Sequence, residues 1–146
     1  MKIAIGADHA GYEVKEKIKK QLEEMNLEVE DLGTNSTESV DYPDFGAAVG
    51  REVASGKADE GIVVCGSGIG IAIAANKVHG IRAAQAWNEE TARLAREHNN
   101  ANVLSIGARV LPENEIPKIV KAWFDAKFQG GRHEGRIEKI SELEKE

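Results

Sequence analysis

Short apolar runs alternate with longer amphipathic segments along almost the whole chain. Runs rich in β-branched residues predict buried strands at residues 2–5, 62–64 and 103–106. Weaker runs predict two more strands, at residues 28–32 and 80–85. Five short strands separated by longer segments are typical of an α/β protein.

The longer segments repeat apolar residues every three to four positions, as amphipathic helices do. The segment 11–25 shows this period in four residues that share one helical face: Val14, Ile18, Leu22 and Met25. The same period predicts further helices at residues 45–55, 68–77, 88–97 and 113–127. This alternation predicts one α/β domain over residues 1–146, with a mostly five-stranded parallel sheet between two layers of helices.

A short, charged helix is predicted at the C-terminal end, after Gly130 and Gly131. Its apolar residues Ile137, Ile140 and Leu143 need a surface to pack against. In a domain of this size we expect the segment 130–146 to pack on a second subunit.

Composition narrows the possible functions without revealing one. The formal net charge of -6 argues against a nucleic-acid partner, because phosphate backbones attract basic surfaces. We see no long apolar span and no basic-then-apolar leader, so we expect neither a membrane helix nor a secretory signal. The single cysteine cannot form an internal disulfide or a cysteine-rich zinc site. A reducing, cytoplasmic location fits best.

The loop after the first predicted strand contains an Asp8-His9 pair between Gly6 and Gly11. The glycine spacing superficially matches a nucleotide-binding P-loop, but the Lys and Ser or Thr that follow in that motif are missing, so we reject a nucleoside-triphosphatase. Open parallel sheets bind ligands beyond the carboxyl ends of their strands, where Asp8 and His9 could hold an anion together with backbone amides. The alternative is that Asp8 only caps the next helix and His9 is simply exposed.

The strongest candidate is the loop Cys65-Gly66-Ser67-Gly68-Ile69-Gly70, which follows the most apolar strand. Its alternating glycines let the backbone fold tightly and direct several N–H groups at one point, where negative charge is stabilised. Ile71 stands where a dinucleotide-binding fingerprint has its last glycine, so we expect neither a nicotinamide nor a flavin cofactor. The helix N-terminus beside Cys65 favours a thiolate that could act as a base. The alternative is that Cys65 is a small, buried apolar residue.

Two further clusters lie later in the chain. His98, with Asn99 beside it, precedes a strand and could be a general acid or a group that caps its helix. Arg132 and Arg136 are four residues apart on one helical face and could clamp a phosphate. Arginines in a C-terminal tail are more often ordinary surface charge.

Taken together, seven motifs closely resemble the type B ribose-5-phosphate isomerases and their relatives that isomerise allose 6-phosphate and galactose 6-phosphate. The motifs cover almost the whole chain, and their order and spacing make the resemblance specific. They are Gly6-Ala7-Asp8-His9-Ala10-Gly11, Asp41-Tyr42-Pro43, Cys65-Gly66-Ser67-Gly68-Ile69-Gly70, Ala74-Ala75-Asn76-Lys77, His98-Asn99, Gly107-Ala108-Arg109 and Gly130-Gly131-Arg132-His133. The resemblance implies a Rossmann-like three-layer α/β/α sandwich with a C-terminal helical extension, and no nucleotide, metal or other cofactor.

The resemblance also implies a reaction, the reversible isomerisation of ribose 5-phosphate and ribulose 5-phosphate through an enediolate in the pentose phosphate pathway. Cys65 would be the base at C2, His98 the ring-opening acid, Ser67 an oxyanion donor, and Asp8 a neighbour of the sugar. The implied substrate contacts are Asp8, His9, Tyr42, Gly66, Ser67, Gly68, Ile69, Gly70, Asn99, Arg109, Arg132 and Arg136. In the family, active sites lie between the subunits of a homodimer, which some members assemble into tetramers.

Three alternatives remain at this point. The same chemistry could act on a six-carbon substrate, allose 6-phosphate or galactose 6-phosphate. The chain could be a non-catalytic subunit that binds a phosphosugar, although the presence of Cys65 and His98 disfavours this. A flavodoxin-like regulatory domain is the weakest alternative, because Asp8 alone is too little to support it.

Overall fold

The computed structural model describes residues 1–146, and its strands and helices alternate as the apolar pattern predicts. The strands are β1 (Lys2–Ala7), β2 (Glu28–Asp31), β3 (Glu60–Cys65), β4 (Ala83–Gln85) and β5 (Val103–Gly107). The helices are α1 (Tyr12–Glu24), α2 (Tyr42–Ala54), α3 (Ile69–Asn76), α4 (Glu89–Asn99), α5 (Ile116–Asp125) and α6 (Arg132–Leu143). All neighbouring strands pair in parallel, in the order β2-β1-β3-β5-β4. The predicted α/β fold with a five-stranded parallel sheet is confirmed.

The sheet is covered on both faces because successive residues of a strand point to opposite sides. Ile62 and Leu104 face α1, α4 and α5, in a cluster that includes the fully buried Trp123. Val63 and Val103 face α2 and α3 in a second cluster. The strands β1, β3 and β5 thus lie in the middle of the sheet, buried from both sides. No helix of the chain has the length and apolar character needed to cross a membrane.

Several predicted boundaries differ from the observed ones; the helix predicted at residues 113–127, for example, covers only Ile116–Asp125. Two of the differences have local reasons. The strand predicted at residues 80–85 begins only at Ala83, because Gly80 has a φ of +90° and the N–H of Arg82 donates to the side chain of Asn102 instead of a strand neighbour. The helix predicted from residue 45 begins earlier, at Tyr42. Pro43 fits the first turn of that helix, where its missing N–H has no partner to lose.

A buried ion pair joins α1 to β2. The amphipathic pattern of α1 did not predict that Lys15 is fully buried, and its ammonium donates to both carboxylate oxygens of Asp31, at 2.8 and 2.7 Å. Lys19 donates to the same carboxylate at 2.8 Å. Burial alone would raise the pKa of Asp31, but hydrogen bonds from Lys15, Lys19 and the N–H of Gly33 lower it.

We expect Asp31→Ala to reduce the free energy of unfolding by about 2–3 kcal/mol, because the buried Lys15 ammonium keeps only Glu16 as a carboxylate partner. Glu113→Gln, which breaks the exposed pair of Glu113 with Lys17, is the matched control and should cost less than ~0.5 kcal/mol. Urea unfolding at one protein concentration measures both.

The pH dependence of this effect follows from the lowered pKa of Asp31. Its contribution is present above the ordinary carboxyl pKa and is lost as the pH falls through the lower pKa of the folded state. The difference between wild type and Asp31→Ala should therefore narrow in acid. Equal effects of Asp31→Ala and Glu113→Gln at neutral pH would contradict the assignment.

Candidate functional site

An open cleft of about 390 Å³ lies at the carboxyl ends of β1, β3 and β5. It adjoins the boundary between β1 and β3, where the strand order changes direction, the usual ligand position in open α/β sheets. We call it the Cys65 cleft. Its lining residues are Asp8, His9, Ala10, Tyr42, Cys65, Gly66, Ser67, Ile69, Gly70 and Arg109. Another cleft of about 450 Å³, between α1 and the start of α5, contains no cysteine or histidine.

Cys65 is the last residue of β3, and its side chain is both buried and part of the cleft wall. Only 5% of its surface is exposed. Its Sγ accepts a hydrogen bond from the N–H of Gly68 at 3.2 Å. A small buried cysteine is thus one correct description, but the sulfur also lies in the cleft wall with a backbone donor aimed at it.

The loop after Cys65 requires its glycines. Gly68 has a φ of +78°, and a Cβ there would lie 2.9 Å from the backbone nitrogen of Gly107. A Cβ on Gly70 would lie 2.6 Å from the ring of Tyr42, which begins α2. The Ser67 Oγ accepts from the N–H of Ile69 at 3.1 Å, so its own hydrogen is left to donate to a ligand.

Two side chains from neighbouring strands hold this loop, and neither was predicted from the sequence to belong to the site. Gln85 donates to the carbonyl oxygen of Ser67 at 2.5 Å, and Ser105 donates to that of Gly68 at 2.6 Å. Gln85 and Ser105 face each other in the pairing of β4 with β5. The sequence contains one indication for Gln85, which is a polar residue at the end of a short apolar strand.

Asp8 and His9 both have defined backbone partners. The Asp8 Oδ1 accepts from the N–H of Gly11 at 3.0 Å, so this carboxylate closes the turn before α1 as well as lining the cleft. The His9 Nδ1 accepts from the N–H of Val40 at 3.1 Å. Neutral His9 therefore carries its hydrogen on Nε2, where it can donate to an anion.

Arg109 follows β5 and closes the third side of the cleft. Its N–H donates to the carbonyl oxygen of Gly66 at 2.9 Å. Its side chain passes over the same glycine, since a Cβ on Gly66 would lie 3.4 Å from the Arg109 Cδ. The guanidinium is exposed and free to meet a ligand.

The remaining predicted site residues form a separate group with His133. We call this group the His98 cluster; it consists of His98, Asn99, Arg132, His133 and Arg136. His98 lies in the last turn of α4, and its ring stacks on that of His133 with the centroids 4.4 Å apart. Arg132 and Arg136 are exposed on the first turns of α6. His133 was not among the predicted site residues. Burial lowers the pKa of His133, and the positive charges of His98, Arg132 and Arg136 lower it further.

Arg82 fixes the helix end that carries the His98 cluster. Its Nε donates to the carbonyl oxygen of Asn99 at 3.0 Å, and its Nη2 donates to that of Asn100 at 2.8 Å. These carbonyls at the end of α4 have no partner within the helix, so the guanidinium satisfies them.

The Cys65 cleft and the His98 cluster lie at opposite ends of the strands. The cleft is at their carboxyl ends and the cluster is at their amino ends. In a parallel sheet each helix starts near the carboxyl ends of the strands and returns to their amino ends. His98 is at the far end of α4, a helix of 11 residues that spans about 16 Å. One chain therefore does not bring His98, Asn99, Arg132 or Arg136 to the Cys65 cleft. Nowhere in the chain do three or more His, Cys, Asp or Glu side chains form a group that could hold a metal ion.

The chain is similar to known proteins over almost its whole length. Residues 3–140 match the family described as Ribose/Galactose Isomerase. Ribose-5-phosphate isomerase B of Escherichia coli (strain K12) is 46% identical over 143 residues, which cover 98% of this chain and 96% of that protein. The structure of Clostridium thermocellum ribose-5-phosphate isomerase B superposes with a TM-score of 0.98 at 54% identity, over 99% of this chain and 98% of that one. Ribose-5-phosphate isomerase B of Mycoplasma genitalium, solved with bound ribulose-5-phosphate, gives a TM-score of 0.95 at 44% identity, over 99% and 97% of the two chains.

We expect Arg132→Gln to raise the pKa of His133, because it removes one of the positive charges that disfavour the imidazolium. Titration of the histidine ring protons by NMR measures this. Lys20→Gln, on the exposed side of α1, is the matched control and should leave the titration of His133 unchanged. A His133 pKa that is identical in wild type and Arg132→Gln would contradict the electrostatic explanation.

Proposed function

The chain belongs to the Ribose/Galactose Isomerase family, and on that basis we propose that it interconverts ribose 5-phosphate and ribulose 5-phosphate. One observation carries the assignment of chemistry. The thiol of Cys65, the last residue of β3, lines the cleft and accepts a hydrogen bond from the N–H of Gly68. Aldose–ketose isomerisation needs a base beside C2 and donors for the oxyanion. The relatives named ribose-5-phosphate isomerase B support the pentose substrate.

In the proposed proton transfer, the Cys65 thiolate removes the proton from C2 of the open-chain aldose. The electron pair of that C–H bond forms the C1–C2 double bond, and the C1 carbonyl oxygen becomes the enediolate oxyanion. Cys65 then returns the proton to C1, while a proton passes from the C2 hydroxyl to the oxygen on C1. The Ser67 hydroxyl and the N–H groups of the glycine loop stabilise the oxyanion.

The sugar ring must open before this transfer, and we assign that step to His98. Its imidazole moves a proton between the anomeric hydroxyl and the ring oxygen. Asp8 lies beside the reacting end of the sugar at the cleft wall. Tyr42, Asn99 and Arg109 supply further substrate contacts.

The phosphate end is assigned to His9, Arg132 and Arg136. The Nε2–H of His9 is available because its Nδ1 is occupied by the N–H of Val40. Arg132 and Arg136 are on neighbouring turns of α6, so their guanidinium groups can hold one phosphate together. Fixing the distal phosphate holds C2 against the thiolate.

These assignments require a second copy of the chain, and we propose a homodimer in which the His98 cluster of one copy completes the Cys65 cleft of the other. The separation of the two groups within one chain supports this. So does an unusual apolar surface on α3, which carries no charged residue and exposes Ile69 (55%) and Ile73 (57%). Ile69 also lines the cleft, so a subunit that covers this surface is brought to the cleft.

The C-terminal helix offers a second apolar surface for the same contact. Ile137 is half-buried against its own chain, whereas Ile140 (43%) and Leu143 (62%) on α6 are exposed. The segment 130–146 is anchored within its chain by the His98–His133 stack and by Glu144, which accepts from the N–H of Gly80 at 2.8 Å. Covering these residues with a partner removes their apolar surface from water.

The proposed activity is tested by assaying ribose 5-phosphate, allose 6-phosphate and galactose 6-phosphate side by side. We expect the highest kcat/KM with ribose 5-phosphate. Cys65→Ala, the matched control for background activity, should lower kcat by about 10²–10⁴-fold and stop exchange of the C2 proton with solvent, while substrate still binds. A higher kcat/KM with a six-carbon substrate would contradict the pentose assignment, and retained C2 exchange in Cys65→Ala would exclude Cys65 as the base.

The shared site is tested by subunit complementation. Cys65→Ala and His98→Asn homodimers should each be nearly inactive. A hybrid of the two has one site with both mutations and one site with neither, so mixed refolding at equal amounts should restore about one quarter of wild-type activity. Cys65→Ala taken through the same refolding step without His98→Asn is the control, and it should regain no activity. No recovery in the mixture would show that Cys65 and His98 do not meet across subunits.

A further inference from the structure

Gln85 and Ser105 form a cross-strand pair that grips two successive peptide units of the glycine loop. They are direct neighbours in the pairing of β4 with β5, so their side chains project from the same face. Gln85 reaches the carbonyl oxygen of Ser67 and Ser105 reaches that of Gly68. The two side chains therefore act on different peptide planes.

The peptide held by Gln85 is the one that contacts the candidate base. The carbonyl of Ser67 and the N–H of Gly68 belong to a single trans peptide unit, and they point in opposite directions. On one side the Gln85 amide donates to the Ser67 carbonyl at 2.5 Å. On the other side the Gly68 N–H donates to the Cys65 Sγ at 3.2 Å.

The Ser67 carbonyl is held by the Gln85 amide and packs closely against Gly107, whereas the other end of the peptide is a glycine. Gly68 has no side chain and a φ of +78°, a region that glycine enters without strain but from which it also leaves easily. The Gln85 amide is the side-chain donor on the carbonyl side, and fixing the carbonyl also fixes the direction of the N–H toward the sulfur. A hydrogen bond to the carbonyl also polarises the peptide and strengthens the bond that its N–H donates.

We propose that Gln85 is a positioning residue that holds the Gly68 N–H on the sulfur of Cys65 and so keeps the thiolate available. Its catalytic consequence rests on the proposed role of Cys65 as base. Ser105 acts on the next peptide, whose N–H donates to the Ser67 hydroxyl oxygen, and so supports the oxyanion donor instead.

The experiment measures thiolate formation directly in Gln85→Met, which preserves side-chain length but removes the donor. Cys65 is the only cysteine, so the pH dependence of iodoacetamide alkylation reports on it alone. We expect the midpoint of thiolate formation to rise by about half to one pH unit, which reduces the thiolate at neutral pH by about 3- to 10-fold. Gln21→Met is the matched control. Gln21 is on α1, far from the cleft, and its amide also donates to a backbone carbonyl, that of Pro117. The alkylation midpoint of Gln21→Met should equal that of wild type.

Isomerase kinetics give the second measurement. In Gln85→Met, kcat should fall by the same factor at neutral pH and recover as the pH is raised, with KM nearly constant. The alkylation midpoint does not depend on any isomerase activity. A shifted midpoint in a chain without isomerase activity would therefore uphold the positioning role and overturn the proposed function.

An unchanged alkylation midpoint in folded Gln85→Met would overturn the proposal. This holds also if the variant unfolds at a lower temperature than wild type, because lower stability alone would indicate a purely structural role. If Gln85→Met does not fold, Gln85→Leu takes its place, since the leucine side chain cannot donate and introduces no charge. Its midpoint should rise as well, and an unchanged midpoint in Gln85→Leu has the same adverse consequence.

Discussion

The single direction of a parallel sheet determines where each functional side chain of this protein can lie. Residues that follow β1, β3 and β5 meet at the carboxyl ends of the strands, where they form the Cys65 cleft. The last residues of a helix lie near the amino ends of the strands, and His98 is in the last turn of α4. The fold thus places a thiol and an imidazole a helix length apart. The proposed mechanism uses both, and for that reason it includes two copies of the chain.

At the carboxyl edge the site is built mainly from backbone, and close packing sets its shape. A Cβ on Gly11 would lie 2.5 Å from the carbonyl oxygen of Val64, and a Cβ on Gly107 would lie 2.4 Å from that of Ser67. Such approaches leave the glycine loop no room to move outward as a unit. Within that packing, side-chain donors from β4 and β5 bind two of its carbonyl oxygens and so help to set the direction of its N–H groups.

How far the sequence predicts this site depends on how local each feature is. The strands, the helices and the position of Cys65 follow from apolar period and chain order, which neighbouring residues determine. The role of Gln85 does not, because it depends on the pairing of β4 with β5 and on a loop 18 residues earlier. The stack of His133 on His98 likewise joins two helices that only tertiary structure brings together. The burial of Lys15 was hidden because its partner Asp31 lies on another element.

The charges of the two groups differ in a way that connects substrate to assembly. The Cys65 cleft contains the Asp8 carboxylate together with the Arg109 guanidinium, whereas the His98 cluster carries Arg132 and Arg136 and a histidine whose pKa their charge lowers. A phosphate dianion relieves the repulsion among these cations, while the sugar end needs the opposite subunit's cleft. On the proposed arrangement, a bound sugar phosphate contacts both copies and therefore stabilises the dimer by mass action. Substrate binding and subunit association are then thermodynamically linked, so that each one favours the other.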